Sequence, residues 1–566
     1  MSEHSPYRSA AQEDYASRVT TALGTDNATP CLLQAGCGVG KTRGFLIPAV
    51  HAIAASKRIL IATPTTQLVR QLMASKDLDV AKSIYTQVTG KTLRCALRLG
   101  LKQFLSPSRA AAAGAMVVAD DTIESILDRY PHLQQADICL MPSSLAEEKA
   151  EYRAQASDVQ VADLIITTHA ALALDRLTGG ALLDIDSFDA IIVDEADRLP
   201  DAAAGLLDTA LSVAAIRTAE LCGTAVKKCL KLRDHGQLEL ALTALIEEAR
   251  QESGQTEDLV LRDAQREVMG SARKIVACLQ HPSEYVTLTW SDDLVALKHR
   301  NPARLLRNVF HQRTTILTSG TLAVRDKDDG FSSFRYELGL SEEIHPVSSR
   351  IEPKVHGSLQ FVLASRSLPT PRLDEPLRDT WLAYCARAIQ EAQKDDEAVL
   401  VLTTNYADTA ILGGKLIELG VPTLVHTRSG RLQDLMRRRA ANEVLVTPAG
   451  WEGVDAPYKW KHLVIPRVPY PLVDDDNDYS FLNSAEIAMR RLRQALGRVI
   501  REPQDSATVW ILDSRFPLPR ELISTGQHTQ QQASRHLRLV ESIPERFRKA
   551  GIRKSAFSQA QILDLG

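Results

Sequence analysis

A glycine-rich run between a short apolar segment and a helix-like segment constrains this fold more than any other feature of the chain. The run reads AGCGVGKT over residues 35–42, and the apolar segment before it covers residues 31–34. Glycines allow successive backbone N–H groups to turn inward and hold phosphate oxygens. The N-terminus of the following helix adds a partial positive charge. The run therefore predicts a strand, a phosphate-binding loop and a helix in succession, as in a parallel α/β protein.

The same run predicts which residues contact a nucleotide. Lys41 is expected to reach the β and γ phosphates, and Thr42 is expected to ligate Mg²⁺. A chance glycine-rich turn is the alternative, but the strand before it and an acidic pair downstream argue against it. The predicted nucleotide contacts in the run are Gly36, Cys37, Gly38, Val39, Gly40, Lys41 and Thr42.

The acidic pair ends a second apolar run, which reads AIIVDEAD over residues 190–197. Asp194 can hold Mg²⁺, directly or through water, and Glu195 can orient and deprotonate an attacking water. Taken alone, the pair could be an acidic turn after a buried strand. Beside a phosphate-binding loop, it predicts hydrolysis of a nucleoside triphosphate.

Two further segments in the C-terminal half could complete the site. Residues 494–501 read QALGRVIR, and on a helix Arg498 and Arg501 share one face with Gln494 nearby. Guanidinium groups from a second domain can neutralise charge on a transferring phosphoryl group. Residues 450–457 read GWEGVDAP and place Asp455 in a loop that is expected to face the nucleotide. A solvated basic helix face and an ordinary connection are the alternatives.

Short β-rich apolar runs recur along the chain and alternate with helix-like segments. They include residues 32–33, 59–62, 164–166, 191–193, 316–317, 399–402, 444–446, 463–465 and 509–512. Buried parallel strands joined by crossover helices produce this alternation. In such sheets, sites lie at the carboxyl ends of the strands.

Two segments interrupt the alternation. Residues 201–281 contain no proline and space Leu238, Leu242 and Leu245 as on one helix face, which predicts a helical insertion. Residues 77–158 form an irregular segment whose basic side chains could touch a nucleic acid or simply face solvent.

Charge and cysteine content exclude several classes of protein. The net charge is −3, so any nucleic-acid groove must come from local clusters of Lys and Arg. Eight cysteines without a C-x-x-C pair predict neither a zinc site nor a disulfide framework, and they indicate reduced thiols in the cytoplasm. The polar N-terminus is unlike a signal peptide. No membrane span is expected, because Pro48 and His51 break the longest apolar stretch, residues 45–55.

Together these motifs make the chain similar to superfamily 2 helicases, and within them it resembles the XPD/DinG group. The matching strings are TPTTQL at 63–68, THAAL at 168–172, TSGTL at 318–322, VLVLTTNY at 399–406, WEGVD at 451–455, PYP at 469–471 and LDSR at 512–515. The resemblance covers about residues 12–515, and the order and spacing of the motifs make it specific.

The resemblance implies an α/β fold with two RecA-like P-loop domains of parallel sheets. It also implies a mainly helical arch-like insertion and a second insertion in place of the family's iron–sulfur module. The implied bounds are 1–76, 159–200 and 303–345 for motor domain 1, 77–158 for the second insertion, 201–302 for the arch and 346–566 for motor domain 2. ATP would close the two motor domains, and hydrolysis would reopen them.

The resemblance also implies the substrate. Members of the family translocate 5′ to 3′ on single-stranded DNA and hold its phosphodiester backbone. Single-stranded and forked DNA are therefore the expected partners, and Gln12 is implied as a further nucleotide contact. The implied contacts with nucleic acid are Thr63, Pro64, Thr65, His169, Thr403 and Thr404.

Two departures from the family pattern have consequences. Cys95 and Cys139 are the only cysteines in the window where the family has four cluster ligands, so we expect no iron–sulfur cluster. Asp197 stands where the family usually has His, at a position that couples hydrolysis to strand movement. Without cluster cysteines, the chain resembles the CRISPR-associated DinG helicases of type IV systems, which implies recruitment to an RNA-guided complex.

Two other functions fit parts of the sequence. The string DEAD at residues 194–197 is typical of RNA helicases of the DEAD-box class. The missing cluster cysteines instead suggest an ATP-gated module that docks on a nucleoprotein complex without unwinding it.

Overall fold

A computed structural model gives the fold of the protein. It describes residues 5–25, 29–36, 38–119, 121–130, 132–326, 328–340, 346–352, 357–364, 368–371, 374, 376–394, 397–427, 432–440, 442–451, 459–470, 478–500, 504–516, 539, 542–544 and 552–554. The strands are β1 (Cys31–Ala35), β2 (Ile59–Thr63), β3 (Cys95–Arg98), β4 (Leu164–Thr168), β5 (Ala190–Asp194), β6 (Thr209–Ser212), β7 (Val286–Trp290), β8 (Leu294–His299), β9 (Thr314–Ser319), β10 (Val347–Ile351), β11 (Ser358–Leu363), β12 (Val399–Leu402), β13 (Thr423–Val425), β14 (Val444–Thr447), β15 (His462–Ile465), β16 (Ser506–Ile511) and β17 (Ile552–Lys554).

The helices follow the same chain order. The α-helices are α1 (Ala10–Gly24), α2 (Lys41–Ala54), α3 (Thr66–Met73), α4 (Lys76–Thr89), α5 (Pro107–Ala112), α6 (Ile123–Arg129), α7 (Gln135–Ile138), α8 (Ala150–Val161), α9 (His169–Leu177), α10 (Leu199–Leu207), α11 (Val213–Thr218), α12 (Thr224–Leu232), α13 (His235–Gln255), α14 (Leu259–Gln280), α15 (Arg307–Gln312), α16 (Ser332–Glu337), α17 (Leu377–Ala392), α18 (Tyr406–Glu418), α19 (Leu432–Arg438) and α20 (Asp478–Val499). Short 3-10 helices cover Leu101–Gln103, Ile185–Ser187, Ala196–Arg198, Pro302–Leu306 and Asp328–Phe331.

The first sheet is parallel and has seven strands in the order β10-β1-β9-β5-β2-β4-β3. Successive strand residues point to opposite faces, and both faces are covered by helices. Ile61 and Ile192 pack into the core beneath α1 to α4, whereas Leu60 and Ile191 pack into the core beneath α9, α10, α15 and α16. This burial on both faces explains why the strands read as continuous apolar runs.

The second sheet is also parallel, with strands in the order β13-β14-β12-β15-β16-β11-β17. Leu400 and Leu463 face a core formed with α19 and α20, whereas Val401 and Val464 face a core formed with α17 and α18. Two parallel sheets with helices on both faces confirm the predicted fold class of two RecA-like domains.

The predicted boundary between the motor domains, at residues 345 and 346, falls too early. β10 (Val347–Ile351) pairs with β1 in the first sheet, and the second sheet begins at β11. The chain thus returns to the edge of the first sheet before it enters the second. No apolar run in the sequence marks β10, because its residues before Ile351 are exposed or half-buried.

The second insertion is also shorter than residues 77–158. The helix α4 packs into the core of the first sheet through Leu78 and Tyr85, and β3 forms the edge of that sheet. A separate apolar core, which includes Ile123, Ile126 and Ile138, holds the residues between. The self-contained part of the insertion therefore lies near residues 105–139.

The arch-like insertion is mainly helical, but it contains strands that the sequence did not reveal. The long helices α13 and α14 share a core that includes Leu238, Leu242 and Leu245, as their spacing predicts. A three-stranded antiparallel sheet, in the order β6-β8-β7, packs against that core through Leu211 and Leu297. Within the described part of the chain, no helix is both long enough and apolar enough to cross a bilayer.

Candidate active site

The phosphate-binding loop joins β1 to α2 at the carboxyl edge of the first sheet. Gly38 and Gly40 have φ angles of 84° and 83°, which residues with a Cβ rarely adopt. A Cβ on Gly40 would also lie 2.3 Å from Nε2 of Gln12, and this nitrogen donates to the Gly40 carbonyl over 2.8 Å. The side chain of the buried Gln12 in α1 therefore holds the backbone of the phosphate-binding loop at Gly40. This position is next to the predicted nucleotide site.

The other loop residues differ in what they can offer a ligand. The backbone N–H of Gly36 donates to the Ile351 carbonyl over 3.0 Å. The side chain of Val39 packs into the core, so only its backbone can face a phosphate. Thr42 lies in the first turn of α2 and is half-buried, whereas Cys37 lies outside the described residues.

Lys41 meets the acidic pair at the end of β5. Its Nζ atom lies 3.0 Å from Oε1 of Glu195. Gly320, just after β9, borders the same point, because a Cβ there would lie 3.8 Å from the Lys41 Nζ. Since β1, β9 and β5 are neighbours in a parallel sheet, their carboxyl ends bring these groups together.

The two acids differ in their ionisation. Burial, and then the charge of Glu195, raise the pKa of Asp194 to about 7. Burial also opposes ionisation of Glu195, but Lys41 and Ser319 outweigh it and hold the pKa of that carboxyl below its usual value. Glu195 is therefore the ionised partner of Lys41, and Asp194 is a carboxylate that needs a further cation to stay charged.

The backbone at Glu195 is strained. Its φ of 47° lies in the left-handed region, which non-glycine residues occupy at a cost of about 1–3 kcal/mol. Its N–H donates to Oδ1 of Asp194 over 3.0 Å. This turn places Glu195 against Lys41 and holds the Asp194 carboxylate on the Glu195 N–H.

Asp197 lies at the centre of a hydrogen-bond network that sequence reasoning did not predict. Its carboxylate accepts from Oγ of Ser319, the last residue of β9, at 2.7 Å and from Oγ1 of Thr321, just after β9, at 2.5 Å. It also accepts from Nε2 of Gln494 at 2.6 Å, and Gln494 belongs to α20, which packs against the second sheet. The same Ser319 Oγ lies 2.8 Å from Oε2 of Glu195, so its single hydrogen is shared between the two carboxylates. The network thus connects the acidic pair to the other lobe.

The predicted arginine segment lies only partly within the described residues. Arg498 donates to the carbonyl of Trp451 over 3.3 Å, and its charge contributes to the low pKa of Glu195. It is therefore in electrostatic reach of the acidic pair from the second lobe. Arg501 and Asp455 lie outside the described residues.

Two more arginines of α20 contact the first lobe. Arg490 donates to both carboxylate oxygens of Glu337, at 2.7 and 2.9 Å, and its guanidinium lies over the Phe334 ring. Arg493 donates to Asp326 at 2.6 Å. The spacing of these two arginines and Gln494 is i, i+3, i+4, which places them on one helix face and would have been the signal for this contact.

The candidate strand contacts lie at the carboxyl ends of β2 and β12. The Thr63 side chain is buried, and the Thr65 hydroxyl caps α3 by accepting from the Leu68 N–H over 3.2 Å. Pro64 lies between them and is half-buried. Only their backbone and the partly exposed faces of Pro64 and Thr65 are therefore open to a nucleic acid.

The second lobe shows the same arrangement. The Thr403 hydroxyl is buried and lies 2.6 Å from the Thr409 hydroxyl. The backbone carbonyl of Thr403 accepts from the Trp451 indole N–H at 2.6 Å. Thr404, the next residue, is half-buried. Trp451 is therefore a core residue that joins two loops at this edge.

The prediction that His169 contacts nucleic acid is wrong for this conformation. The side chain is fully buried, and its Nε2 lies 2.8 Å from the backbone oxygen of Asp194. An imidazole enclosed by the first lobe cannot reach a phosphodiester. The family motif at residues 168–172 implied a contact of His169 with nucleic acid, but a motif does not show whether a side chain is buried.

Cys95 and Cys139, which the sequence places in the predicted second insertion, belong to different parts of the structure. Cys95 belongs to β3, whereas Cys139 is buried in the separate core of the insertion. Burial raises the pKa of Cys95 to about 11 and also raises that of Cys139.

The assembled groups suit a magnesium-dependent hydrolysis of a nucleoside triphosphate. The glycine loop leaves room for backbone contact with phosphates, and Lys41 supplies a positive charge. The buried Asp194 carboxylate and the Thr42 hydroxyl are hard oxygen ligands of the kind that Mg²⁺ prefers. Glu195, held by Lys41 and Ser319, is ionised and can accept a proton.

Comparison with known proteins agrees with this arrangement. A family model described as the helicase C-terminal domain matches residues 389–525. The ATP-dependent helicase DinG of Mycobacterium tuberculosis is 23% identical over 630 aligned residues, which cover 91% of this chain and 91% of the relative. The ATP-dependent DNA helicase YoaA of Escherichia coli is 24% identical, with 89% of this chain and 91% of the relative covered.

A solved structure shares the fold. An XPD helicase aligns with a TM-score of 0.60 at 18% identity, and the alignment covers 91% of this chain and 97% of the other. The two chains therefore share their overall fold.

Proposed function

We propose that this chain, which belongs to the XPD/DinG group of superfamily 2 helicases, is an ATP-dependent DNA helicase that translocates 5′ to 3′ on single-stranded DNA. The observation that carries the proposal is the contact across the cleft, in which Gln494 donates to Asp197 beside the Lys41–Glu195 ion pair. A hydrolysis site shared by two lobes converts turnover of ATP into relative movement of the lobes.

The proposed chemistry starts from the ion pair. A triphosphate oxygen competes with Glu195 for the Lys41 ammonium, and the released carboxylate then accepts a proton from the attacking water. Ser319 keeps the other Glu195 oxygen in place. Mg²⁺, when bound by Thr42 and Asp194, supplies charge neutralisation at the phosphates. Arg498, and Arg501 by family resemblance, stabilise the transferring group from the second lobe.

The proposed strand path crosses the carboxyl edges of both sheets. The backbone N–H groups of Thr65 and Thr404 contact phosphates, because Pro64 has no N–H and the Thr403 N–H donates to the Thr447 carbonyl. The Thr63 and Thr403 side chains are buried within the lobes. Backbone contacts read no bases, so binding is independent of sequence. Movement of one lobe relative to the other then shifts the strand between the two grips.

The first experiment measures ATP turnover and unwinding together. The wild type should hydrolyse ATP in response to single-stranded DNA and unwind a fork with a 5′ tail but not one with a 3′ tail. Lys41→Ala should lose both activities by at least about 100-fold, because a phosphate-binding charge is removed. Lys228→Ala, at an exposed lysine of α12, is the matched control and should behave as wild type.

The other candidate functions give different results in the same assays. The DEAD string and the Asp197 network favour an RNA helicase as second candidate, and stimulation by single-stranded RNA alone would establish it. DNA-stimulated turnover without unwinding of either fork would establish an ATP-gated docking module instead. Unwinding from the 3′ tail would reverse the proposed polarity.

We infer further that the chain acts with an RNA-guided complex of a type IV CRISPR system. The inference is supported by the family resemblance and by the sequence, which has only Cys95 and Cys139 in the window where the family has four cluster ligands. An R-loop formed by such a complex should stimulate ATP turnover at protein concentrations where an equal displaced strand alone does not. Equal stimulation by the two substrates would contradict recruitment.

A further inference from the structure

His169 lies where three strand ends meet. In the first sheet β2 lies between β5 and β4, and His169 is the first residue of α9, directly after β4. Its imidazole reaches the backbone oxygen of Asp194 at the end of β5, with Nε2 and O 2.8 Å apart. The ring must therefore span the carboxyl end of β2, where the turn over residues 63–65 begins.

The hydrogen bond has a defined direction. Burial lowers the pKa of His169 to about 4, so the ring is neutral at pH 7 and carries one N–H. A carbonyl oxygen only accepts, so Nε2 carries the hydrogen and donates it to Asp194. The Ala62 carbonyl of β2 also lies close enough to favour protonation, but Nδ1 has no hydrogen-bond partner of good geometry among the described residues.

The accepting carbonyl belongs to a peptide that controls both acids. The carbonyl of Asp194 and the N–H of Glu195 form one rigid plane. That N–H donates to Oδ1 of Asp194, and Glu195 itself has the left-handed φ of 47°. Rotation of this plane would move the Asp194 carboxylate and the Glu195 side chain together.

We propose that His169 is a positioning residue that holds the peptide between Asp194 and Glu195 and transmits the position of the turn over residues 63–65 to it. The inference rests on the proposed function, because it explains how a strand gripped at the end of β2 alters hydrolysis at the end of β5. Full burial of the ring excludes direct contact with the strand in this conformation.

Two variants separate the hydrogen bond from the space that the ring fills. His169→Leu fills similar space but donates nothing, whereas His169→Gln offers a carboxamide N–H that can reach a carbonyl. His169→Leu should reduce DNA-stimulated kcat at least about 10-fold, with less than about 2-fold change in the KM for ATP and in the Kd for single-stranded DNA. His169→Gln should recover most of the stimulated rate.

Three results would overturn the inference. A large loss of DNA affinity in His169→Leu would mean direct strand contact. Equal impairment of the Leu and Gln variants would mean that only packing matters. Unchanged stimulation in both would mean no positioning role. Should His169→Leu fail to fold, His169→Gln is compared with His169→Asn instead. Only the longer Gln side chain can reach the Asp194 carbonyl, so His169→Gln should retain the higher stimulated rate.

The proposed function fails in a different way. If wild-type protein shows no DNA-dependent ATP turnover, the helicase proposal is lost regardless of these variants. If the wild type is stimulated and the variants match it, only the role of His169 is lost.

Discussion

The two motor sheets and the two insertions place their charged side chains in opposite ways. In the motor sheets, Lys41, Glu195 and Asp197 converge at strand ends and bond to one another or to Gln494 across the cleft. Each insertion has its own apolar core, and the two meet at Asp263 of the arch, which accepts from Arg109 and Ser143 of the second insertion. Shared charges therefore connect the two lobes at the candidate active site, whereas the insertions keep separate cores and meet at this buried carboxylate.

The largest effect should follow from changing the proton acceptor of the shared site. Glu195→Gln keeps the shape and the Ser319 contact but removes the basic oxygen and the Lys41 ion pair. DNA-stimulated hydrolysis should fall by about 10²–10⁴-fold while nucleotide binding persists. Parallel measurement of kcat and nucleotide affinity checks this, with Glu124→Gln at an exposed helix position as control.

The next largest effect is expected at Gln494, which joins the two lobes through Asp197 and makes no hydrogen bond to Asp194 or Glu195 among the described residues. Gln494→Ala should lower DNA-stimulated kcat by about 10-fold, because one hydrogen bond to a charged group is lost. Gln494→Glu should be worse than Ala, since it sets two carboxylates against each other. Equal rates for Ala and Glu would show that the contact with Asp197 does not operate during turnover.

A smaller effect on activity is expected at the contact between the insertions. Arg109→Ala leaves Asp263 buried without its cation, which should destabilise this contact by about 3–5 kcal/mol. The paired change Arg109→Leu with Asp263→Leu should recover much of the loss. Hydrogen exchange over α5 to α7 and α14 measures the loss in Arg109→Ala and its recovery in the double variant. Nucleotide binding should persist in both variants, and its loss would show that this contact also supports the motor domains.

The smallest effect is expected on the outer surface of the second insertion. Met116 is 72% exposed, so Met116→Lys should change the free energy of unfolding by no more than about 0.5 kcal/mol. Thermal unfolding measures this change. A drop of several kelvin would show that Met116 makes packing contacts within the protein and would contradict its exposed position.

Sequence reasoning predicted what depends on local chemistry. The glycine loop, the acidic pair and the alternation of buried strands are each written in a few consecutive residues. What escaped it depends on distance along the chain. The return of β10 to the first sheet, the antiparallel strands of the arch and the contact of Gln494 with Asp197 join segments far apart in sequence.

His169 shows the limit of motif matching. The family string predicted a contact of this residue with nucleic acid, but a string carries no information on which way a side chain points. Burial decided this, because α9 packs across the sheet and encloses its first residue. Its partner is a backbone carbonyl, which leaves no trace in a sequence.

The position of β10 has a mechanical consequence. Every described strand up to β10 outside the arch lies in the first sheet, and every later described strand lies in the second. Side-chain contacts such as the buried ion pair of Arg490 with Glu337 join the two lobes, so a change in their relative orientation has to strain or break that pair.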